Sequence, residues 1–247
     1  MIALITPTGA RAKQIRLCTE FMRKQDYEGD VLWIVIDDAL PYTTTKVSVS
    51  KDNWNVVKIY PTEKWVVGKN TQAQNLRAGI DELKRHAPVE AIFIIEDDDY
   101  YPSRYLRVMM EKLEGYAIAG EIPTVYYNVV RRAWRYMKNY KHSSLFQTAF
   151  RPVLLPLFEK ACSIRGLKFI DLNFFLDVSK EKKYKINLFS GENLAIGIKG
   201  QPGRGGIGVG HDMHLRLQPD PDWSQLKKFI GNDYMFYYEP TNIYNGS

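Results

Sequence analysis

Four consecutive carboxylates, Glu96-Asp97-Asp98-Asp99, directly follow the apolar run at 91–95. Like charges roughly 6 Å apart repel by a kcal/mol or more, about 3 kcal/mol, at an effective dielectric of 20. A divalent cation turns that repulsion into binding, because Mg²⁺ and Mn²⁺ are held by one or two carboxylates, with water and substrate phosphates completing the shell. Two registers are open, Asp97-x-Asp99 and Glu96-x-Asp98, and the first is preferred. The plain alternative is a helix N-terminus enriched in acids, which the helix dipole favours. It accounts for one or two carboxylates better than for four after a buried strand.

A second segment suited to anions lies far along the chain. Residues 200–210 carry repeated glycines between Lys199 and His211-Asp212, with Arg204 among them. Such a loop can close over a diphosphate through backbone N–H groups and charge-assisted bonds from Lys199 and Arg204. It is no Walker loop, because no Gly-Lys-Ser/Thr ends it, and it comes too late and precedes no clear helix for a dinucleotide fingerprint.

The elements that must position these groups alternate through the first hundred residues. Short apolar runs at 2–6, 31–36, 56–60 and 91–95 are separated by helical patterns at 10–24 and 71–85, and a further helix is expected from Pro102 to about Glu114. Strands that are apolar throughout, separated by helices, indicate a parallel sheet covered on both faces. Ligands of such sheets sit beyond the carboxyl ends of the strands. Three of these ends are polar or acidic: Thr6-Pro7-Thr8, Asp37-Asp38 and Glu96 to Asp99. Later come an expected strand pair at 186–189 and 194–198 and a tail at 241–247 expected to be mobile.

This order resembles the GT-A glycosyltransferases: βα units, a buried strand ending in Asp-x-Asp near residue 100, and a helix begun by proline. The resemblance implies an α/β, Rossmann-like, mostly parallel sheet flanked by helices with an elaborated C-terminal acceptor region. It implies a single domain over 1–247, with a nucleotide-sugar half at 1–120 and an acceptor half at 121–240. In that family Asp-x-Asp holds a divalent metal, Mn²⁺ or Mg²⁺, against the diphosphate of a nucleotide-sugar, and UDP is the usual nucleotide. Carried onto this sequence, the metal ligands are Asp97 and Asp99, completed by a late histidine, His211 before His214. Thr6, Pro7, Thr8 and Arg11 wrap the base and ribose, Asp37 or Asp38 meets the base, the segment Asn70-Thr71-Gln72-Ala73-Gln74-Asn75, with Asn75 its chief residue, lines the nucleotide pocket, and Asp98, Lys199 and Arg204 face the donor. A base for the acceptor hydroxyl is expected between the acidic strand end and the late histidine. Asp171 and Asp177 lie there among Phe169, Phe174 and Phe175, an apolar setting that raises a carboxylate's pKa towards a useful range. Asp171 is preferred, with a helix N-cap as its plain alternative.

The net charge of +6 and pI near 9.1 favour an anionic partner. The bias concentrates at 122–158, which holds no Asp or Glu but carries Arg151 and, at near-helical spacing, Arg131, Arg132, Arg135, Lys138 and Lys141, with Trp134, Tyr136 and Tyr140 between them. Cations for phosphates and aromatic faces for unstacked bases suit a nucleic acid. Together with the size of the chain, this resembles phage-type enzymes that glycosylate hydroxymethylated pyrimidines in DNA. The other readings are a polysaccharide or lipid-linked acceptor, a nucleotidyltransferase, and a nucleic-acid-binding module without catalysis. No signal peptide or membrane span is read, so a cytoplasmic location is expected. The two cysteines, Cys18 and Cys162, read as buried thiols rather than a disulfide framework.

Overall fold

The computed structural model describes residues 1–40, 46–164, 169–204 and 216–238. Its first half is parallel. Strand β1 (Ile2–Thr8) pairs on one side with β2 (Val31–Asp37), which pairs with β3 (Trp54–Ile59), and on the other with β4 (Ala91–Ile94). Every residue of β2 and β4 is buried, as a sheet covered on both faces requires. The period-2 alternation of strand side chains divides them between two cores. Ile2, Leu4, Trp33 and Val35 pack with Ile15, Cys18, Phe21 and Met22 of helix α1 (Ala12–Arg23). Ala3, Ile5, Ile34 and Ile36 pack with Leu76, Ile80 and Leu83 of helix α2 (Gln72–Leu83). Gly79 lets α2 approach closely: a Cβ there would fall 2.6 Å from Cγ2 of Ile5 and 2.8 Å from Cδ1 of Ile36.

Beyond β4 the chain enters helix α3 (Tyr105–Lys112), which begins three residues after Pro102 rather than at it. The large sheet is then completed by β5 (Ile118–Glu121), β8 (Thr148–Phe150) and β9 (Ile186–Phe189), giving the order β3-β2-β1-β4-β8-β5-β9. β8 is antiparallel to both its neighbours. Helices α4 (Leu155–Ser163) and α5 (Ile170–Lys180) bury Phe158 and Phe174 against Phe150 of β8.

A second sheet holds β6 (Val125–Asn128), β7 (Ala133–Tyr136), β10 (Gly197–Lys199) and β11 (Gln218–Pro219) in the order β10-β6-β7-β11. It corrects two expectations. The cation- and aromatic-rich stretch is an antiparallel hairpin of β6 and β7, not a helical repeat. The strands expected to pair at 186–189 and 194–198 belong to different sheets, β9 to the large one and β10 to the small one. Asp220 fixes helix α6 (Ser224–Ile230) beside this sheet by accepting from the backbone N–H groups of Gln225 and Leu226 and from the hydroxyl of Tyr127. Helix α7 (Met235–Tyr238) follows. Cys18 and Cys162 are buried free thiols, and among the described residues no helix is long and apolar enough to cross a membrane.

Candidate active site

The carboxyl ends of β1, β2 and β4 bring the predicted groups to one edge. Arg11, just before α1, reaches across to the acidic cluster. Its Nη1 lies 2.9 Å from Oδ1 of Asp97 and its Nη2 2.6 Å from Oδ2 of Asp98. Thr8, the last residue of β1, donates its hydroxyl to Oδ2 of Asp97 at 2.6 Å. Asp97 is thereby taken up by the β1 end. Asp99 turns to the small sheet, where its Oδ1 accepts from the backbone N–H of Ile198 and from Nζ of Lys199, both at 2.9 Å. Its other oxygen, Oδ2, is buried with no hydrogen-bond partner. Glu96 accepts from Nε2 of Gln72 at 2.8 Å.

One oxygen each from Glu96, Asp98 and Asp99 lies within 4.8 Å of the others. Among the described residues these three carboxylates could hold a metal ion together, so the group includes Asp99 but not Asp97 of the preferred register and both acids of the Glu96-x-Asp98 register. These hard oxygen donors, one with an unsatisfied buried lone pair, suit a divalent cation that favours oxygen. His211, expected to complete the set, and His214 lie outside the described residues.

Burial makes this cluster a poor place for uncompensated negative charge. It raises the Asp97 carboxyl to about 6, even though Arg11 pulls the other way. It also raises Glu96 and, more strongly, Asp99, against the opposing charge of Lys199. The Asp171 carboxylate lies close enough to add to the rise at Glu96.

The end of β2 forms a second knot. Asp38 is fully buried and accepts at Oδ2 from the Thr71 hydroxyl and from Nδ2 of Asn75. Arg204 donates to Asp38 Oδ1 at 2.6 Å, to the Thr71 hydroxyl at 2.6 Å and to the Gly9 carbonyl at 3.1 Å, while its guanidinium lies 4.6 Å from the Trp65 ring centroid. Gly9 has φ +147°, and a Cβ there would fall 1.9 Å from Oδ1 of Asp38. The segment 200–204 is drawn over the same edge. Gln201 donates to the Asp98 carbonyl at 2.6 Å, and Gln14 of α1 donates to the Pro202 carbonyl at 2.7 Å.

Of the other nominated residues among those described, Asp171 alone comes near enough to act on the cluster. Thr6 is fully buried and accepts from the Trp33 indole, Pro7 is only partly buried, and Asp37 pairs with Lys58 at 3.0 Å. Asp171 stands in the first turn of α5, accepts from the Leu172 N–H at 2.8 Å and has its pKa raised by burial. It is not the helix N-cap, which is Phe169. Asp177 bonds Lys160 and Lys180 at 2.7 and 2.8 Å, which lowers its pKa, so the structure does not bring it to the site. In the hairpin, Trp134 and Tyr136 pack edge-on against Phe229 of α6. Arg132 lies over Trp223, Arg135 donates to the Arg216 carbonyl, Arg131 donates its backbone N–H to Asn128, and Lys138 and Lys141 are exposed. Thr71 and Gln72 belong to the segment expected to line the nucleotide pocket, and Gln201 to the expected glycine-rich loop. Sequence reasoning missed Trp65, a large aromatic in a polar loop, which is the signal that was there to find.

The large mixed sheet with helices on both faces and acids at the β4 end is the GT-A architecture. No protein-family model and no curated protein sequence matches the chain. Solved structures do. The chain superposes on S. aureus TarS with a TM-score of 0.53 at 12% identity, covering 80% of this chain and 36% of TarS. TarS 1–349 in complex with UDP gives 0.52 at 13% identity, covering 80% and 60%. The same fragment in complex with UDP-GlcNAc gives 0.51 at 14% identity, covering 83% and 60%. The chain thus spans little more than a third of TarS, and the likeness at this identity is one of fold.

Proposed function

We propose that this chain is a glycosyltransferase that moves a sugar from a UDP-sugar to an acceptor hydroxyl, with Mn²⁺ or Mg²⁺ held by Glu96, Asp98 and Asp99. The observation that carries the reading is the convergence of these three carboxylates, one with an orphaned buried oxygen, at the strand edge where Arg11, Lys199 and Arg204 also gather. The UDP and UDP-GlcNAc complexes of TarS 1–349 support the donor class. A bound ion would offset the charge of the donor diphosphate and of the leaving nucleotide. The chain's own cations serve the same charge: Arg204 is anchored at the β2 end, and Lys199 sits beside Asp99. Asp171, its pKa held up by burial and near enough to Glu96 to raise that group's pKa, takes the proton from the acceptor hydroxyl as that oxygen attacks the sugar carbon. The test is release of UDP from a panel of UDP-sugars with Mn²⁺ present. Turnover of at least one donor, lost in an Asp98→Asn/Asp99→Asn double variant, supports the reading. No turnover and no UDP binding by the native chain would overturn it.

For the acceptor, the reading is an anionic polymer, with hydroxymethylated pyrimidine in DNA as the specific case. It rests on the cations of the β6–β7 hairpin and the segment after it, with β6 bonded to the strand that carries Lys199. The aromatic half of the argument is weakened, because Trp134 and Tyr136 are occupied by Phe229. What remains is charge, which predicts salt-sensitive binding. A gel-shift titration with duplex DNA at low salt is the test. No binding, or binding unchanged by Arg131→Ala with Arg132→Ala and Arg135→Ala, would remove DNA as the acceptor.

A further inference from the structure

The acidic cluster carries its own counter-ions. Lys199 is buried, with its Nζ 2.9 Å from Oδ1 of Asp99 and 5.1 and 5.7 Å from the ring centroids of Tyr126 and Phe146. Aromatic walls and burial leave the ammonium little freedom to leave Asp99 for water. Arg11 spans Asp97 and Asp98 in the same manner. Within residues 96–99 and the two cations paired directly with them, four carboxylates against two cations leave a deficit of two negative charges. That deficit matches one divalent ion, and the orphaned Oδ2 of Asp99 is a lone pair available to it.

We propose that Arg11 and Lys199 are resident counter-ions that set the charge deficit of the Glu96–Asp99 cluster at two, which makes Lys199 the residue that fixes the valence and affinity of the ion bound there. The proposal deepens the metal reading above and rests on it. It follows from Coulomb's law: removing a unit charge a few ångströms from an ion strengthens that ion's binding, and does so more for a triply charged ion than for a doubly charged one. Removing Lys199 also leaves Asp99 buried without its ion pair, a destabilised state that an added cation relieves.

The experiment compares Mn²⁺ and Tb³⁺ affinities of the native chain, Lys199→Met, Lys199→Arg and the double variant Lys199→Met/Asp99→Asn. Calorimetry reads both ions, and Tb³⁺ is also read by luminescence sensitised through neighbouring tyrosines such as Tyr101, whose hydroxyl accepts from the Glu96 N–H at 2.8 Å. Lys199→Met should bind Mn²⁺ about tenfold more tightly than the native chain, gain more than that for Tb³⁺, and melt on chelation. Lys199→Arg should keep the native preference, and the double variant, which removes one charge of each sign, should return towards it. Should Lys199→Met fold only with metal present, the ion has become the missing counter-ion, as proposed. Unchanged or weaker affinity for both ions in Lys199→Met overturns the proposal. So does failure of both Lys199→Met and the double variant to fold with Mn²⁺, because lost packing rather than charge would then be the cause. The donor reading fails separately: affinities that shift as expected in a chain that binds no UDP-sugar would leave the counter-ions standing and remove the transferase.

Discussion

Arg204 and Asp38, 166 positions apart, meet at 2.6 Å and tie the loop after β10 to the end of β2. The contact is buried at Asp38, and the guanidinium lies over the Trp65 ring. It holds segment 200–204 over the edge where the acids gather.

Replacing Arg204 by Ala should loosen that segment. UDP affinity is expected to fall by about tenfold to a hundredfold, since a charge-assisted hydrogen bond contributes about 1.5–3 kcal/mol. Trp65 should lose its cationic neighbour, so the difference in tryptophan emission between the native chain and Arg204→Ala should vanish in a Trp65→Phe background. Unchanged UDP affinity would show that the loop does not serve the donor.

Stability should depend on pH through Asp97. Its carboxyl is raised from 3.8 to about 6 in the fold, with burial the main cause. The native state therefore holds this proton more firmly than the unfolded chain does, so stability falls as pH rises from about 4 to about 6. Metal-free native protein should lose on the order of 2 kcal/mol relative to Asp97→Asn across that window, measured by urea unfolding. A native chain that gains stability over the variant as pH rises would contradict the burial of this group.

Asp171 should leave its mark on the pH–rate profile. Burial raises its pKa, so the acidic limb of kcat/KM should lie above the ordinary carboxylate range, with activity lost as the pH falls through it. Asp171→Asn should lower kcat by about 10²–10⁴-fold, the usual contribution of a general base, with little change in UDP affinity. Asp177→Asn, whose carboxylate is occupied by Lys160 and Lys180, should leave the profile unmoved.

The parallel half of the fold was legible because β1, β2 and β4 are continuous apolar runs ending in polar residues, so both the sheet and its functional edge can be read directly. The choice among the four acids was not. Strand alternation stops at Ile94, and in the turn that follows it is Thr8 and Arg11, some ninety residues earlier, that draw Asp97 out of the cluster. The hairpin misled for a local reason. Its cations and aromatics recur three or four residues apart, which also fits a helix. Its turn passes through Arg132 at φ +46° rather than through a glycine that would have marked it. β8 could not be foreseen as an antiparallel member of a parallel sheet, since three buried residues carry no orientation. Contacts such as Arg204 with Asp38 are set by the folded topology alone.

A metal-assisted UDP-sugar site on Glu96, Asp98 and Asp99 is tested by calorimetric titration of UDP into the native chain with Mn²⁺, with chelator, and into Asp98→Asn/Asp99→Asn with Mn²⁺. UDP should bind with Mn²⁺, at least about tenfold more weakly with chelator, and equally weakly to the variant. UDP binding of the same strength in all three would contradict the account.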